Sequence, residues 1–595
     1  MSSGRDGDDD RSRRREARLR SPARAVLDYA VRYWVRYLIG IVALLAATGL
    51  ALAIPATVKR AVDALERDAA RAPLAQEAVV IVLLALGHGG ARLASRFTLL
   101  GGSQRVEYDL RNDLYAALQA YPPAFYAAHR TGDLMSRASS DVAAVKSLVG
   151  FGFVSLVGTL FAFTGALVAM VAIDPWLTLW AMAPCPLLVV LFTRVNGRVH
   201  QQTLAMQTQL GVLSGMVQEY LTGMSVVRGY AMEEHARRSF AHANLELQQR
   251  SLALARTQSQ FLPLMTLVGG LGALIVLWIG GTAVAEGRLS LGSLVAFNGY
   301  LAYLAWPTLA LGWTLSLVRR GLTSMARILE ITRPAPPLSE SGSALDGHLD
   351  LRFDGVTFSY GGSTPVLTHV SFTIEPGQTV AVVGPTGSGK TTLGLLVTRL
   401  WEPPPATIFL GGRDVTRIPL AELRAAIGYV PQEAFLFSRS IMDNVTLDRE
   451  RVSPDLARRA ASIAGIADEI ALWHQGWTTV VGERGLTLSG GQRQRVALAR
   501  ALGGAPPVLV LDDVFANVDA LKEEEIMARL RQATAGRTVL LMTHRLRAAR
   551  AADRIVVLQG GRVIEAGRHD DLIAAGGLYA RLWRLQQLEE EIARA

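Results

Sequence analysis

The sequence has almost no cysteine, since Cys185 is the only one among 595 residues. A single cysteine excludes an intrachain disulfide, and Cys185 itself lies in an apolar run. The N-terminus lacks a short apolar core followed by a small-residue cleavage site, which argues against a secretory signal. Residues 1–21 are polar and charged instead, and we expect them to form a disordered cytoplasmic tail.

Hydrophobic residues, by contrast, make up 50% of the chain, and the mean hydropathy of +0.26 is high for a soluble protein of this size. The net charge is +10, and basic proteins often bind nucleic acid. Here, however, arginines cluster in the N-terminal tail and in loops beside apolar spans, as the positive-inside rule expects of a membrane protein. We therefore expect a lipid bilayer, and no nucleic acid, as a partner.

Six apolar segments are long enough to cross a bilayer, for which about 20 residues are needed. They lie at residues 37–57, 77–99, 150–173, 176–195, 262–284 and 291–318. Two inner connections are long and helical in pattern, so we expect membrane helices that continue into the cytoplasm. Their predicted turns lie at residues 121–137 and about 224–235.

The composition changes near Pro334, where prolines end the last membrane helix. Beyond it, strand-like segments at 349–353 and 356–358 precede a βαβ pattern. The sequence thus predicts an α-helical membrane domain of about six long transmembrane helices, followed by an α/β P-loop ATPase domain. The predicted parts are the tail (1–21), the membrane domain (22–330), a linker (331–347) and the ATPase domain (348–595).

A glycine-rich segment follows the apolar run 379–383 and precedes an apolar helical segment at 393–400. It fits the pattern G-x-x-x-x-G-K-S/T, in which backbone N–H groups and a helix N-terminus converge on phosphate oxygens. Lys390 is expected to reach the β/γ-phosphates of ATP or GTP, and the Thr391 hydroxyl to hold Mg²⁺. The predicted nucleotide-binding residues of this loop are Gly384, Thr386, Gly387, Ser388, Gly389, Lys390, Thr391 and Thr392.

Three later side chains suit the chemistry of phosphate and metal. Asp512 ends an apolar strand and is expected to hold Mg²⁺. Gln432 could reach Mg²⁺ and the attacking water, and His544, at a strand end, could touch the γ-phosphate. A lone glutamine or histidine is usually a surface residue, so the assignment to phosphate and metal chemistry rests on the order of these residues along the chain.

Two further features suit the rest of a nucleotide. Tyr360 precedes the phosphate loop and could stack on adenine, although a tyrosine is more often half-buried packing. A second glycine-containing segment opens a helix whose N–H groups, together with the Ser489 hydroxyl, could cradle a phosphate. Its predicted binding residues are Ser489, Gly490, Gly491 and Gln492.

In this order, the phosphate loop, Gln432, residues 488–492 (LSGGQ), Asp512 and His544 resemble the nucleotide-binding domain of ATP-binding cassette (ABC) transporters. The LSGGQ run is specific to that superfamily. The membrane half is similar to bacterial multidrug half-transporters of the MdlA kind. The similarity lies in residues 108–114 and 130–137, which match the family's inner helix and first coupling helix.

This resemblance covers nearly everything after residue 22. It implies six membrane helices, helices exchanged between two subunits, and coupling helices that dock on the ATPase domains. It also implies that Glu483 lies in a loop that contacts the coupling helices, and that ATP and Mg²⁺ are the cofactors.

One position departs from the family's pattern, in which a glutamate follows Asp512 and polarises the water that attacks the γ-phosphate. The residue here is Asp513, which is one methylene shorter. Such shortening should misplace the base by about 1 Å, which can cost about 100-fold in rate. Residues 514–519 also differ from the usual loop. A tolerated conservative change remains an alternative, but the intact signature run favours a degenerate site.

ABC sites are composite, because one subunit's phosphate loop faces the other's signature run. We therefore expect this chain to have a slow site of its own and to serve a partner's active site in a heterodimer. The expected function is ATP-driven export of amphipathic small molecules, multidrug or lipid-like, across the cytoplasmic (inner) membrane of a prokaryote. Both termini are expected in the cytoplasm. The alternative is a homodimeric lipid or peptide exporter; the fused apolar spans disfavour a non-transporting ABC ATPase.

His88, Arg92 and Arg96 are spaced four residues apart, so they share one helical face within or near the membrane. Ionisable groups inside a membrane suggest a functional site. A wet inward-facing cavity bordered by basic residues would explain them as well, and the sequence favours this second interpretation.

Overall fold

The computed structural model describes residues 21–67, 74–332, 345, 349–362, 364–482, 485, 487–515 and 520–594. The chain forms two compact units. The membrane unit comprises residues 1–119 and 131–333, and the ATPase unit comprises residues 120–130 and 334–595. Glu483 and residues 516–519, which entered the sequence argument, lie outside the described residues.

Long α-helices build the membrane unit and the short insertion that joins the ATPase unit. They are α1 (Pro22–Val31), α2 (Trp34–Arg67), α3 (Leu74–Ala120), α4 (Pro123–Ala128), α5 (Thr131–Ile173), α6 (Pro175–Met182), α7 (Cys185–Thr222), α8 (Met224–Gly229), α9 (Glu233–Ile275), α10 (Gly281–Ala285) and α11 (Leu291–Thr332). Helix α5 contains two π-helical turns, Arg137–Asp141 and Leu148–Gly152, and a third, Val276–Gly280, joins α9 to α10.

Four helices within the described residues, α2, α3, α5 and α11, are long and apolar enough to cross a membrane. They contain the first, second, third and sixth predicted spans. The fifth predicted span overlaps a shorter apolar helix at Gly269–Ala285. The fourth, at 176–195, is divided between α6 and α7 by a turn at residues 183–184. Both residues keep right-handed helical φ/ψ angles, but Pro184 has no backbone N–H to donate.

Charged side chains tie α5 to α11 within the membrane unit. Arg137 donates to Asp133 at 2.9 Å and to Glu330 at 2.8 Å. Arg327 bonds Asp133 at 2.5 Å and lies 3.2 Å from Asp141. Asp133 and Arg137 lie in the segment 130–137 that resembles the family's first coupling helix, and their bonds hold this segment against α11.

Helix α4 belongs to the ATPase unit although it lies between two membrane helices in the chain. Tyr121 stacks on Phe125 with a centroid distance of 4.0 Å, and Phe125 stacks on His129 at 4.1 Å. The turn between α3 and α5 is therefore held by a small aromatic cluster.

The rest of the ATPase unit has two sheets. The strands are β1 (Leu351–Phe358), β2 (Leu367–Ile374), β3 (Thr379–Val383), β4 (Ile408–Leu410), β5 (Arg413–Asp414), β6 (Ile427–Val430), β7 (Val508–Asp512), β8 (Thr538–Met542), β9 (Arg554–Gln559) and β10 (Arg562–Gly567). The four-stranded sheet has the order β2-β1-β4-β5, and the six-stranded sheet has the order β10-β9-β3-β8-β7-β6. Strand β3 lies parallel to β8 and β9, and β7 lies parallel to β6 and β8.

Ten described helices surround these sheets. They are α12 (Lys390–Val397), α13 (Leu420–Ala426), α14 (Ile441–Thr446), α15 (Pro454–Ile463), α16 (Ala467–Leu472), α17 (Gly490–Gly503), α18 (Ala520–Ala533), α19 (Leu546–Arg550), α20 (His569–Ala575) and α21 (Leu578–Arg594).

The described part of this unit has three hydrophobic cores, of which one packs α19, α20 and α21 against β3 and β9 and the other two define its lobes. The phosphate-loop lobe is built on the core that contains Leu393 and Leu396 of α12, and the signature lobe on the core that contains Leu488 and Val496. Strand β7 contributes to both, because alternate side chains of a strand point to opposite faces. Val508 and Val510 pack into the first core, whereas Leu509 and Leu511 pack into the second.

Two predicted boundaries were wrong. The segments predicted at 349–353 and 356–358 belong to the single strand β1, which begins at Leu351 and has a register shift between Phe353 and Val356, where Gly355 has φ +63°. The helix predicted at 393–400 instead begins at Lys390 and ends at Val397. It starts early because Gly389, at φ +98°, turns the chain directly into the helix.

Candidate nucleotide site and membrane cavity

The phosphate loop has the strand–turn–helix form that its sequence predicts. It joins β3 to α12 through three glycines, and at two of them the neighbouring atoms leave no room for a side chain. At Gly384 (φ +153°), an added Cβ would lie 2.1 Å from the carbonyl oxygen of Leu558. At Gly389, it would lie 2.6 Å from Leu367 Cδ2. Glycine therefore lets the backbone run close enough to its surroundings to present N–H groups to a phosphate.

Lys390 lies at the N-terminus of α12 and turns back over the loop. Its Nζ donates hydrogen bonds to the carbonyl oxygens of Gly384 at 2.7 Å and Pro385 at 3.0 Å. Burial lowers its pKa, although the carboxylates of Asp513 and Asp512 act in the opposite direction. The ammonium group is thus held over the loop by weak acceptors that phosphate oxygens can replace.

Asp512 and Thr391 come together although 120 positions separate them in sequence. Burial raises the pKa of Asp512 to about 6, against the lowering effect of a hydrogen bond with Thr391. The neighbouring charge of Asp513 raises it further, and that of Lys390 lowers it. Among the described residues, Asp512 Oδ2 is buried and has no hydrogen-bond partner.

An unpartnered buried carboxylate oxygen next to a hydroxyl fits Mg²⁺, which prefers oxygen ligands and binds beside substrate phosphates. Thr391 and Asp512 are the residues of this chain that would hold the ion. Gln432, the third predicted metal residue, is exposed on the segment after β6.

Asp513 follows directly at the end of β7, in the left-handed backbone region at φ +49°. Its N–H donates to the carbonyl oxygen of Met542 at 2.8 Å, which anchors the residue to the end of β8. His544 Nδ1 donates to Asp513 Oδ2 at 2.7 Å, and the Thr543 hydroxyl lies 3.4 Å from Oδ1. Both carboxylate oxygens therefore face the end of β8.

The Asp513 hydrogen bond raises the pKa of His544, against the lowering effect of burial. Because Nδ1 is committed to Asp513, Nε2 is the ring nitrogen left for a γ-phosphate. The sequence placed each of these residues at a strand end, and the structure joins them into one pair. Sequence reasoning missed this pair because strand order cannot be read from one sequence.

Tyr360 lies beside the phosphate loop and bonds to it. Its hydroxyl donates to Thr392 Oγ1 at 2.9 Å. Its ring packs edge-on against Trp401 at 4.7 Å and Phe358 at 5.1 Å. The residue as a whole is 40% exposed, so Tyr360 is accessible next to the loop. Trp401 was missed by sequence reasoning.

The signature run caps α17 in the signature lobe. Ser489 Oγ accepts from the Gln492 N–H at 3.2 Å, and Gln492 Oε1 accepts from the Ser489 N–H at 2.9 Å, forming a capping box. Gln492 Nε2 donates to Glu469, which also accepts a 2.5 Å bond from Arg495. Burial would raise the pKa of Glu469, but bonds from Arg495 and Gln492 outweigh it and lower the pKa.

The Ser489 and Gln492 side chains are thus occupied in shaping the helix start. This leaves backbone N–H groups of the first turn to meet an anion, because the first N–H groups of a helix have no intrahelical acceptor. Sequence reasoning missed Glu469 and Arg495, although the spacing of Ser489 and Gln492 is that of a capping box.

The membrane unit contains a cavity of about 840 Å³ that collects the three basic residues singled out in the sequence. His88, Arg92 and Arg96 of α3 all line it. Side chains from α2, α5 and α11, including Trp306 and Trp313, complete the lining. The structure therefore places the basic face of α3 beside a cavity of the size of a drug-sized ligand.

Two family models match the chain. Residues 37–308 match the ABC transporter transmembrane region, and residues 367–516 match the ABC transporter model. The chain is 33% identical to the multidrug resistance-like ATP-binding protein MdlA of Escherichia coli, over 94% of this chain and 96% of that protein. It is 31% identical to the ATP-dependent lipid A-core flippase of Syntrophus aciditrophicus, over 94% and 93% of the two chains.

A solved structure of a bacterial Atm1-family ABC exporter with ATP bound is similar over 93% of this chain and 99% of that one. The TM-score is 0.79 and the sequence identity is 28%. The phosphate loop, the capped signature run and the apolar helices thus lie in a fold that is known to work as an exporter. The chain belongs to the ABC exporters, as an ATP-hydrolysing half-transporter in which a multi-pass membrane domain and an ATPase domain are fused.

Proposed function

We propose that this chain exports amphipathic small molecules, multidrug or lipid-like, from the cytoplasm across the inner membrane of a prokaryote, with both termini in the cytoplasm. We further propose that it works in a heterodimer, as the subunit whose own ATP site is degenerate. The observation that carries the second part is the geometry of Asp513.

A general base must lie within about 2.6–3.2 Å of the proton it takes, or act through one water. Asp513 is buried, has a short side chain, and has both oxygens turned toward Thr543 and His544. Its backbone N–H is fixed to the end of β8, so the residue cannot advance to make up for the missing methylene. These contacts support an ATP site on this chain that binds ATP but hydrolyses it slowly.

The signature run supports the complementary half of the proposal. Its capping box and the Glu469–Arg495 pair hold the start of α17 in one geometry without any ligand. A first turn preformed in this way can face ATP bound to a partner subunit. The partner's base would then act at the fast site, while this chain supplies N–H groups to the phosphate.

Thr391 and Asp512 would hold Mg²⁺ in this chain's own site, and the ion would neutralise charge on the β- and γ-phosphates. Lys390 would exchange its loop carbonyls for phosphate oxygens. Tyr360 would offer its exposed ring to adenine. Each of these roles concerns binding, so a degenerate site keeps them.

A homodimeric lipid or peptide exporter is the second candidate, and a specific contact favours it. The 2.7 Å bond between Asp513 and His544 could make a working acid–base pair in which Asp513 is a competent base. In that case both ATP sites of a homodimer would hydrolyse ATP equally, and no second, different subunit would be needed.

Purification of the tagged full-length chain from its native membrane, followed by mass measurement of the intact complex, separates the candidates. The proposal expects one second half-transporter per complex, with glutamate at the position of Asp513 and an altered signature run. Recovery of a complex of two identical chains that transports would contradict it. ATP-dependent uptake of amphipathic dyes into inside-out vesicles tests export itself.

A further inference from the structure

We propose that the membrane cavity is a binding site for the acidic head of an amphipathic substrate, and that Arg92, Arg96 and Ser95 bind that head. This inference rests on the proposed export function and narrows its substrate to anions with an apolar or aromatic body. A carboxylate and a phosphate monoester share the chemistry that the site would recognise.

The first observation is the charge on one helical face. His88, Arg92 and Arg96 are one helical turn apart on α3, and all three line the cavity. His88 Nδ1 donates to the Ala47 carbonyl oxygen at 2.8 Å, which orients the ring and leaves Nε2 as its other polar atom. The two guanidinium groups are permanently charged and offer planar, bidentate donors that match carboxylate and phosphate.

The second observation is that no carboxylate among the described residues pairs with Arg92 or Arg96. None of the described residues lining the cavity is Asp or Glu, and neither arginine has an ion-pair partner among the described residues. A charged group at membrane depth is costly unless it is paired or wet. An anion brought by the substrate would supply the missing partner, and only while the substrate is bound.

The third observation is a buried polar atom with no partner. Ser95 is 1% exposed, lines the same cavity, and its Oγ makes no hydrogen bond among the described residues. It lies about one turn after Arg92 and directly precedes Arg96 on α3. Leaving a buried hydroxyl unpaired costs about 1–3 kcal/mol. An anionic oxygen at this place would accept from Ser95 and from both guanidinium groups.

The aromatic side chains that α11 contributes to the lining fit the rest of an amphiphile. Trp306, Trp313 and Tyr303 of α11 line the cavity, and Trp313 meets Phe151 edge-to-face at 5.9 Å. Tyr303 and Thr48 hydrogen-bond to each other, which fixes the ring beside the basic face. Aromatic surfaces bind flat apolar bodies, so the body would pack on α11 while the head contacts the arginines of α3.

Matched probes with one body and two heads test this assignment. The probes are 1-pyrenebutyrate, which is anionic, and its uncharged methyl ester. Binding to the full-length complex in nanodiscs is followed by energy transfer from tryptophan to pyrene. We expect pyrenebutyrate to bind at least tenfold more tightly than the ester. Equal affinity for the two probes would overturn the inference.

The variants Arg92→Gln and Arg96→Gln together should weaken binding of pyrenebutyrate at least tenfold and leave the ester within twofold. Arg92→Lys with Arg96→Lys keeps the charge and should retain most of the preference. Arg288→Gln is the matched control, because it removes one positive charge from the membrane unit at a residue that does not line the cavity. A parallel loss for anion and ester in the glutamine variants would show a structural role and overturn the inference.

Uptake into inside-out vesicles separates this inference from the export proposal. Transport of the ester and of cationic dyes without preference for the anion would leave export standing and overturn the anion site. Selective binding of the anion without ATP-driven uptake would support the site and contradict export. A further arm with pyrene-labelled phosphatidic acid and phosphatidylcholine distinguishes a lipid headgroup from a soluble acid as the source of the anion.

Discussion

The signature run and the surroundings of the phosphate loop differ in how completely their polar side chains are hydrogen-bonded. In the signature lobe, Ser489 and Gln492 cap each other, and Glu469 and Arg495 close the network behind them. In the phosphate-loop lobe, Asp512 keeps a buried oxygen without a partner, and Lys390 rests on its own loop. The polar side chains of the signature run are therefore all paired within the protein, although Thr479 Oγ1 elsewhere in that lobe is buried without a partner among the described residues. The phosphate loop instead lies beside a carboxylate oxygen that is buried and unpaired within the described part of the chain.

Asp513 is the exception within the phosphate-loop lobe. Its carboxylate contacts both His544 and Thr543, whereas the neighbouring Asp512 has a buried oxygen without a hydrogen bond to any described residue. The comparison thus separates Asp512, which has an unpaired oxygen, from Asp513, whose two oxygens both contact the end of β8, as the proposed slow site requires.

The largest expected change is in the free energy of unfolding when Asp512, the acid with the unpaired oxygen, is replaced. Replacement of Asp512 by Asn should raise the free energy of unfolding of the nucleotide-free protein at pH 7 by up to about 3 kcal/mol, because it removes a buried charge whose pKa is raised to about 6. Unfolded, the carboxyl loses its proton near its model value of 3.8. The penalty is therefore absent below about pH 4 and complete above about pH 6.

Thermal unfolding of the full-length protein between pH 4 and 8, without nucleotide, measures this effect. Asp455→Asn, at an exposed ion pair with Arg458, is the control and should change little. Destabilisation of the Asp512 variant at pH 7 would mean that the acid is already satisfied, and the contrast between the lobes would fail.

Lys390→Ala should weaken ATP binding at this chain's own site by about 10- to 100-fold, since a hydrogen bond to a charged group contributes about 1.5–3 kcal/mol. Labelled-ATP binding to the purified complex measures the loss. Lys522→Ala removes a surface lysine that pairs with Glu525, and should bind normally. Unchanged affinity and stoichiometry in the Lys390 variant would show that the loop does not bind ATP.

A smaller effect is expected in the signature lobe. Glu469→Gln should destabilise the protein at pH 7 by about 1–2 kcal/mol, because it breaks the pair with Arg495 that supports the capping box. The pKa of Glu469 is lowered in the fold, so its stabilisation is present above its unfolded value near 4.5 and is lost as the pH falls through the folded pKa.

Urea unfolding of the Glu469 variant at pH 7 and at pH 4 tests both the size and the sign. Glu450→Gln, at an exposed position, is the matched control. A difference that grows at low pH would contradict the assignment, because the acid would then be stabilising in its protonated form.

The sequence predicted the strands of this site to the residue. Residues 379–383 and 508–512 are apolar runs bounded by a glycine and by acids, and both form strands with those bounds. The helix after the loop was placed three residues late, because Lys390, Thr391 and Thr392 are polar and do not join the apolar pattern.

What the sequence could not supply is contact across elements. The pairing of Asp513 with His544 requires β7 and β8 to be neighbours, and a single sequence does not state strand order. The cavity needs side chains from four helices, so the spacing of His88, Arg92 and Arg96 showed a face without showing what the face lines. Local patterns were readable, and tertiary contacts were not.

The central claim is that this chain's signature run serves a fast site while its own site is slow. The ATPase turnover of the assembled complex, measured for Ser489→Ala and for Asp513→Asn, tests it most directly. Ser489→Thr keeps the hydroxyl and the cap and serves as the control. We predict that Ser489→Ala loses well over tenfold, about 1.4 kcal/mol in barrier, and that Asp513→Asn loses less than tenfold. Equal, near-complete loss in both variants would contradict the account and show a symmetric pump in which Asp513 is a competent base.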